Sequence, residues 1–120
     1  MLTNLLQYGA LGSFLLRLAM ALIFNYHGIP KVSKPEQMAL GLGWPSMAVR
    51  ALGIVEIVSS VWLIFGIYTQ FAALALAFVM IGAIYMKVAK WKIPFWSHDN
   101  TGWEFDFILL AVAIFFLTHA

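Results

Sequence analysis

Cysteine is absent from this 120-residue chain and charge is scarce, with seven lysines and arginines set against five aspartates and glutamates. The first absence excludes disulfide exchange, thiolate catalysis and cysteine-ligated iron–sulfur clusters as functions of this chain alone, and it leaves the redox compartment open. The second excludes an ordinary water-soluble domain. Charged residues make up 10% of the sequence and hydrophobic ones 63%, and the mean hydropathy is +0.92. That composition supplies too little polar surface to cover a single domain of this length in water, so the chain belongs in a lipid bilayer. The net charge of +2 forms no stripe of the kind that binds nucleic acid. The N-terminal "MLTNLLQYGALGSF" also lacks the basic region and small-residue cleavage site of a secretory signal, so the first apolar run is expected to be retained as a true span. There is no low-complexity tract and no convincing internal repeat.

What is present is a set of long apolar runs. Spans of about 20 residues are expected near 11–28, 47–67, 70–87 and 103–119, giving an all-α, transmembrane four-helix bundle. The second and third spans are joined by a tight turn at "GIYTQ", whereas the first and third connections are longer and polar. Four crossings place both termini on one face and both long loops on the other. Lys31, Lys34, Arg50, Lys87, Lys90 and Lys92 lie in or near the loop-bearing face. The positive-inside rule then makes that face cytoplasmic and both termini external in a multi-pass protein of the inner cell membrane.

The loops carry helix punctuation. "SKPE", Ser33 to Glu36, has capping-box spacing with a proline in the first turn, which predicts a short helix on the membrane surface over 34–40. "TGWE", Thr101 to Glu104, predicts a second capping box at the head of the fourth span. Trp44, Trp91, Trp96 and Trp103 flank these boundaries, as aromatic belts do. Alanines and glycines crowd the third span, where they allow close helix packing within the bundle or in a homodimer.

The informative residues are ionisable groups inside the apolar runs, each costing roughly 2.5 to 3.5 kcal/mol at the bilayer centre on insertion scales. Arg17 lies in the first span and Glu56 near the middle of the second. Arg17 can snorkel to its own surface as an anchor. Counting from the expected helix ends, however, places the two at depths within side-chain reach, so they are expected to pair. Such a pair is either a structural bridge or a contact for a ligand or a proton relay, and desolvation makes it weak evidence for stability. Arg17, Ala21, Phe24, His27 or Gly28, and Lys31 recur on one stripe of the first helix. Pro30 is expected to stop or kink that helix. Gly53, Glu56, Ser59, Ser60 and Leu63 form a matching face on the second span, with small residues around the carboxylate.

Glu104 and Asp106 open the fourth span two residues apart, so they cannot both face the interior. First-turn carboxylates ordinarily complement the helix dipole, and Lys87 could neutralise either one. His27, His98 and one of these carboxylates carry no ligand spacing, so no metal site is expected. His27 at a helix end is ordinarily an interfacial hydrogen-bonder, but it also titrates near neutral pH.

The segments "RLAMALIFNYHGIPKV" and "GIVEIVSSVWLIFGIYTQ", the alanine-rich third span and "GWE" together resemble the DoxX family of small four-helix membrane proteins. The matching positions are Arg17, His27-Gly28, Lys31, Glu56, Gly66, Thr69 and Glu104. The resemblance implies a membrane partner of redox enzymes: the similar DoxD chains are the membrane subunit of a thiosulfate:quinone oxidoreductase, and other members are linked to oxidative-stress complexes. It therefore implies a subunit of a membrane oxidoreductase or a quinone site. In that reading Arg17 donates to a quinone carbonyl, Glu56 exchanges the proton, and His27 links the site to loop-side water, aided by Tyr26 or Tyr85. The other reading is a non-catalytic binding or assembly protein, or a small-solute or proton pathway. Buried charges then lock the bundle, and a loop-side mouth of His27, Lys31, Lys87 and Glu104 docks a partner or lipid headgroup.

Overall fold

A computed structural model describes residues 2–97 and 102–119, and all the regular secondary structure among them is helical. The chain divides into two compact units, Met1–Ile67 and Tyr68–Ala120. In the first unit a 3-10 segment, Leu2–Tyr8, leads into α1 (Gly9–Ser33), followed by the short α2 (Glu36–Leu42) and by α3 (Ser46–Phe65). The second unit contains α4 (Thr69–Tyr85), a π-helical turn at Met86–Lys90, and α5 (Trp103–Thr118). Among the described residues three helical segments are long and apolar enough to cross a membrane: Leu2–Ser33, Ser46–Phe65 and Thr69–Lys90. With 16 residues, α5 spans about 24 Å at ~1.5 Å per residue, short of a hydrocarbon core of ~30 Å.

Two expected boundaries move, each for a local reason. Pro30 does not end α1, which runs one turn further to Ser33. A proline this close to a C-terminus removes only one helical hydrogen bond, and its own carbonyl still accepts from Lys34 N at 2.7 Å. Because Ser33 stays helical, its hydroxyl donates back to Ile29 O at 3.0 Å and is not available to cap α2. The expected box at Ser33–Glu36 does not form; α2 starts at Glu36 behind Pro35, without a side-chain cap, and ends on the left-handed Gly43.

The second expected box includes Thr101, which lies outside the described residues, as does His98. Two of the first N–H groups of α5 find main-chain acceptors, with Glu104 N donating to Phe95 O at 3.0 Å and Trp103 N to Pro94 O at 3.4 Å. This satisfies donors that a helix N-terminus leaves orphaned. Gly102 is required here, because a Cβ on it would stand 2.2 Å from Phe95 O.

Candidate functional site

In the first unit α1 packs against α3, and the crossing is set by two glycines. A Cβ on Gly28 would meet Ile57 Cγ1 at 2.9 Å and Gly53 O at 3.1 Å, while one on Gly53 would meet Gly28 O at 2.7 Å and Lys31 Cβ at 2.8 Å. Both positions need hydrogen in place of a side chain for the backbones to come this close. The faces expected from the sequence meet here: Ala21, Phe24 and Gly28 of α1 are buried, as are Gly53, Glu56, Ser59, Ser60 and Leu63 of α3.

Glu56 is 1% exposed, and its two carboxylate oxygens each accept from Lys31 Nζ at 2.7 Å. Lys31 projects from the last turn of α1 alongside Gly53, where the missing side chain leaves room for its stem. The two ends of the pair differ in access: 13% of the Lys31 side chain is exposed and 2% of that of Glu56. One turn away Asn25 Nδ2 donates to Ala21 O at 2.6 Å and to Ser60 Oγ at 3.3 Å, and Ser60 Oγ donates to Ile57 O at 3.1 Å. A polar seam of Asn25, Ser60, Glu56 and Lys31 thus runs along an otherwise apolar helix contact.

The expected pairing of Arg17 with Glu56 is corrected. Arg17 Nη1 donates to Leu63 O at 3.0 Å and Ile64 O at 3.1 Å, carbonyls in the last turn of α3, of which Leu63 O also accepts from Gly66 N at 3.2 Å. Because α1 extends past Pro30 and runs antiparallel to α3, Gly28 and not Arg17 is level with Glu56. Arg17 lies about 16 Å further back along the helix at ~1.5 Å per residue. Gly66, left-handed at φ 73°, ends α3 beneath the guanidinium: a Cβ there would stand 2.8 Å from Arg17 Nη1. At the other end Arg50 Nε of α3 donates to Val32 O of α1 at 3.1 Å. Each helix of the pair therefore supplies an arginine to the C-terminal carbonyls of the other, where cationic donors also complement the helix dipole.

His27 is exposed, with its ring edge-on to Tyr26 at 5.4 Å between centroids. It leaves the buried stripe to its neighbour Gly28. Tyr26 is 78% exposed and Tyr85 66%, so neither ring enters the packed helix faces. In the second unit Lys87 Nζ stands 2.6 Å from Asp106 Oδ2, and Asp106 is buried while Glu104 is half-buried. Lys87 thus neutralises Asp106, and Glu104 lies at the start of α5. The Lys87 contact is a close charge pair without hydrogen-bond alignment at Oδ2. No cluster of three or more metal-ligating side chains occurs among the described residues.

Sequence reasoning overlooked Asn25 and the capping role of Arg50. The signal for Asn25 was its position four residues after Ala21 on the buried stripe. For Arg50 it was a long cation in the first turn of a helix, facing the end of its antiparallel neighbour.

The DoxX family model matches residues 12–89, from the start of α1 through the π turn. The Bacillus subtilis (strain 168) protein named "Putative oxidoreductase CatD" is 32% identical over 107 residues, covering 87% of this chain and 75% of CatD. No solved structure gives a significant match. The matched region contains Arg17, Gly28, Lys31, Glu56 and Gly66, the residues that fix the crossing, the ion pair and the helix cap. With the family pattern present over most of its length and a relative aligned across nearly all of it, the chain belongs to the DoxX family of membrane proteins.

Proposed function

We propose that the chain is the membrane component of an oxidoreductase system and that its working site is the Lys31–Glu56 pair, offered to a quinone from the lipid phase. The observation that carries this reading is Glu56, 1% exposed in the middle of a membrane-length helix and held by a lysine that is itself partly accessible. Intramembrane ionisable groups are costly and cluster at ligand and proton pathways. The donor chemistry fits a quinone: an ammonium has three N–H donors, Glu56 engages two at most, and the remaining one suits a carbonyl oxygen. A quinone takes up two electrons and two protons on reduction. Lys31 would orient the carbonyl and give it one proton, Glu56 would hold the ammonium in place, water reaching the exposed side of Lys31 would return that proton and supply the second, and the two electrons would come from a partner redox subunit. The name of CatD supports the redox class. Arg17 serves this site only indirectly, by fixing the end of α3.

The same reading places the protein in the cell membrane, with α5 as a fourth crossing, α2 on the membrane surface, the long loops cytoplasmic and both termini outside. A C-terminal reporter active only in the cytoplasm would overturn that orientation. For the site, purified protein is extracted and its bound lipids are analysed, with Glu56→Gln and Lys31→Met beside the wild type. Quinone retained by the wild type and lost from folded variants is the expected result; a wild type that never carries quinone rejects it. A second reading, a non-catalytic assembly protein or proton pathway, is favoured by one observation: Arg17, Arg50 and Glu56 all find partners within the first unit. It predicts that the Glu56 and Lys31 variants differ from wild type in stability alone or in proton leakage, with no ligand lost.

A further inference from the structure

The second unit reproduces the arrangement of the first. In the first, Arg17 of α1 donates to Leu63 O and Ile64 O in the last turn of α3, and Lys31 at the end of α1 pairs with buried Glu56 of α3. In the second, Gln70 Nε2 in the first turn of α4 donates to Leu117 O in the last turn of α5 at 2.8 Å. Lys87, just past the end of α4, pairs with buried Asp106 of α5. Relative to the capping contact, the lysine and the carboxylate of the second unit are both displaced by about one helical turn, so the pair keeps its register. One short sequence match accompanies these contacts: Lys31-Val32 in the last turn of α1 and Lys87-Val88 in the π turn that follows α4.

We infer that the chain is a tandem of two equivalent helix-pair units, and that Lys87–Asp106 is a second ligand site offering a lysine ammonium to a carbonyl-bearing acceptor, as Lys31–Glu56 does. The inference rests on the reading proposed above and extends it. Asp106 is 5% exposed, so its charge is balanced by Lys87 and the start of α5 with little help from water. Access is divided as in the first pair, with 15% of the Lys87 side chain exposed and 8% of that of Asp106. Asp106 Oδ2 is buried beside the Lys87 ammonium at 2.6 Å, and an ammonium has three N–H donors, more than one carboxylate oxygen takes. Lys87 also sits in a π-helical turn, a departure from α geometry that recurs at functional sites.

The test is a binding stoichiometry. Full-length protein in nanodiscs is equilibrated with menadione, and bound quinone is counted after subtracting protein-free discs. The wild type is compared with two paired apolar replacements, Lys31→Met/Glu56→Leu and Lys87→Met/Asp106→Leu, chosen because removing both charges spares the fold. Asp106→Asn is used where the second paired variant fails to fold. Two equivalents for the wild type and one for each variant are expected. One equivalent for the wild type, kept by the Lys87 and Asp106 variants, overturns this inference and leaves the proposed function standing. No saturable binding by the wild type overturns both.

Discussion

Removing Lys31 should destabilise the first unit far more than removing its partner, and the asymmetry follows from where each charge can go. In Lys31→Met, Glu56 remains 1% exposed in the interior of α3 and has no route to water. Breaking a buried pair in this way costs about 3–5 kcal/mol. In Glu56→Gln the orphan is Lys31, whose flexible stem starts in the last turn of α1 and already has 13% of its side chain exposed. It can swing its ammonium outward, so the cost falls to that of one lost hydrogen-bonding partner, about 1–3 kcal/mol. Replacing both residues with apolar ones of similar volume should bring the cost to about zero, because each orphan is then gone. The assay is equilibrium unfolding in mixed micelles as the fraction of denaturing detergent rises, followed by helical circular dichroism. Equal losses for the two single variants, or a double variant as unstable as Lys31→Met, would refute the placement of the charges.

Gly53→Ala inserts a methyl 2.7 Å from Gly28 O and 2.8 Å from Lys31 Cβ. It should separate α1 from α3 at a cost of about 1–3 kcal/mol and weaken quinone retention, where Gly82→Ala, which meets open space, changes neither. Arg17→Gln should lose about 1–3 kcal/mol through the carbonyl of Ile64, Leu63 O keeping its bond from Gly66 N. Its defect should appear as faster hydrogen exchange in the last turn of α3, with a retained ligand; a lost ligand with unchanged exchange would return Arg17 to the site. Gly102→Ala directs a Cβ into Phe95 O at 2.2 Å and should break the main-chain cap of α5. Faster amide exchange at Trp103 and Glu104 is the expected readout, and unchanged protection there would argue against the cap.

The contrast between Glu56 and Arg17 shows what was legible in the sequence. Both stand out as charges in apolar runs, and only for Glu56 does that anomaly lead to the buried pair. Helical periodicity placed Gly28 and Lys31 on one stripe and Gly53, Glu56 and Ser60 on another, and these faces do meet. Partner choice was not legible, because it depends on antiparallel register, and register was estimated from a helix end that Pro30 did not impose. Punctuation misled for a related reason: Ser33 has capping-box spacing, but a residue still inside α1 spends its hydroxyl on the preceding turn.

By itself, then, the sequence determined the solvent, the helical class, the two matching faces and the need to compensate a carboxylate inside a membrane helix. These follow from hydropathy and from 3.6-residue periodicity, which are local properties. The tertiary structure alone decided that Lys31 compensates Glu56, that Arg17 and Arg50 cap opposite helices, and that Lys87 takes Asp106 and not Glu104. Each of those contacts joins residues far apart in the chain. Their distances are set by how closely two backbones approach, which in the first unit the glycine crossing at Gly28 and Gly53 fixes.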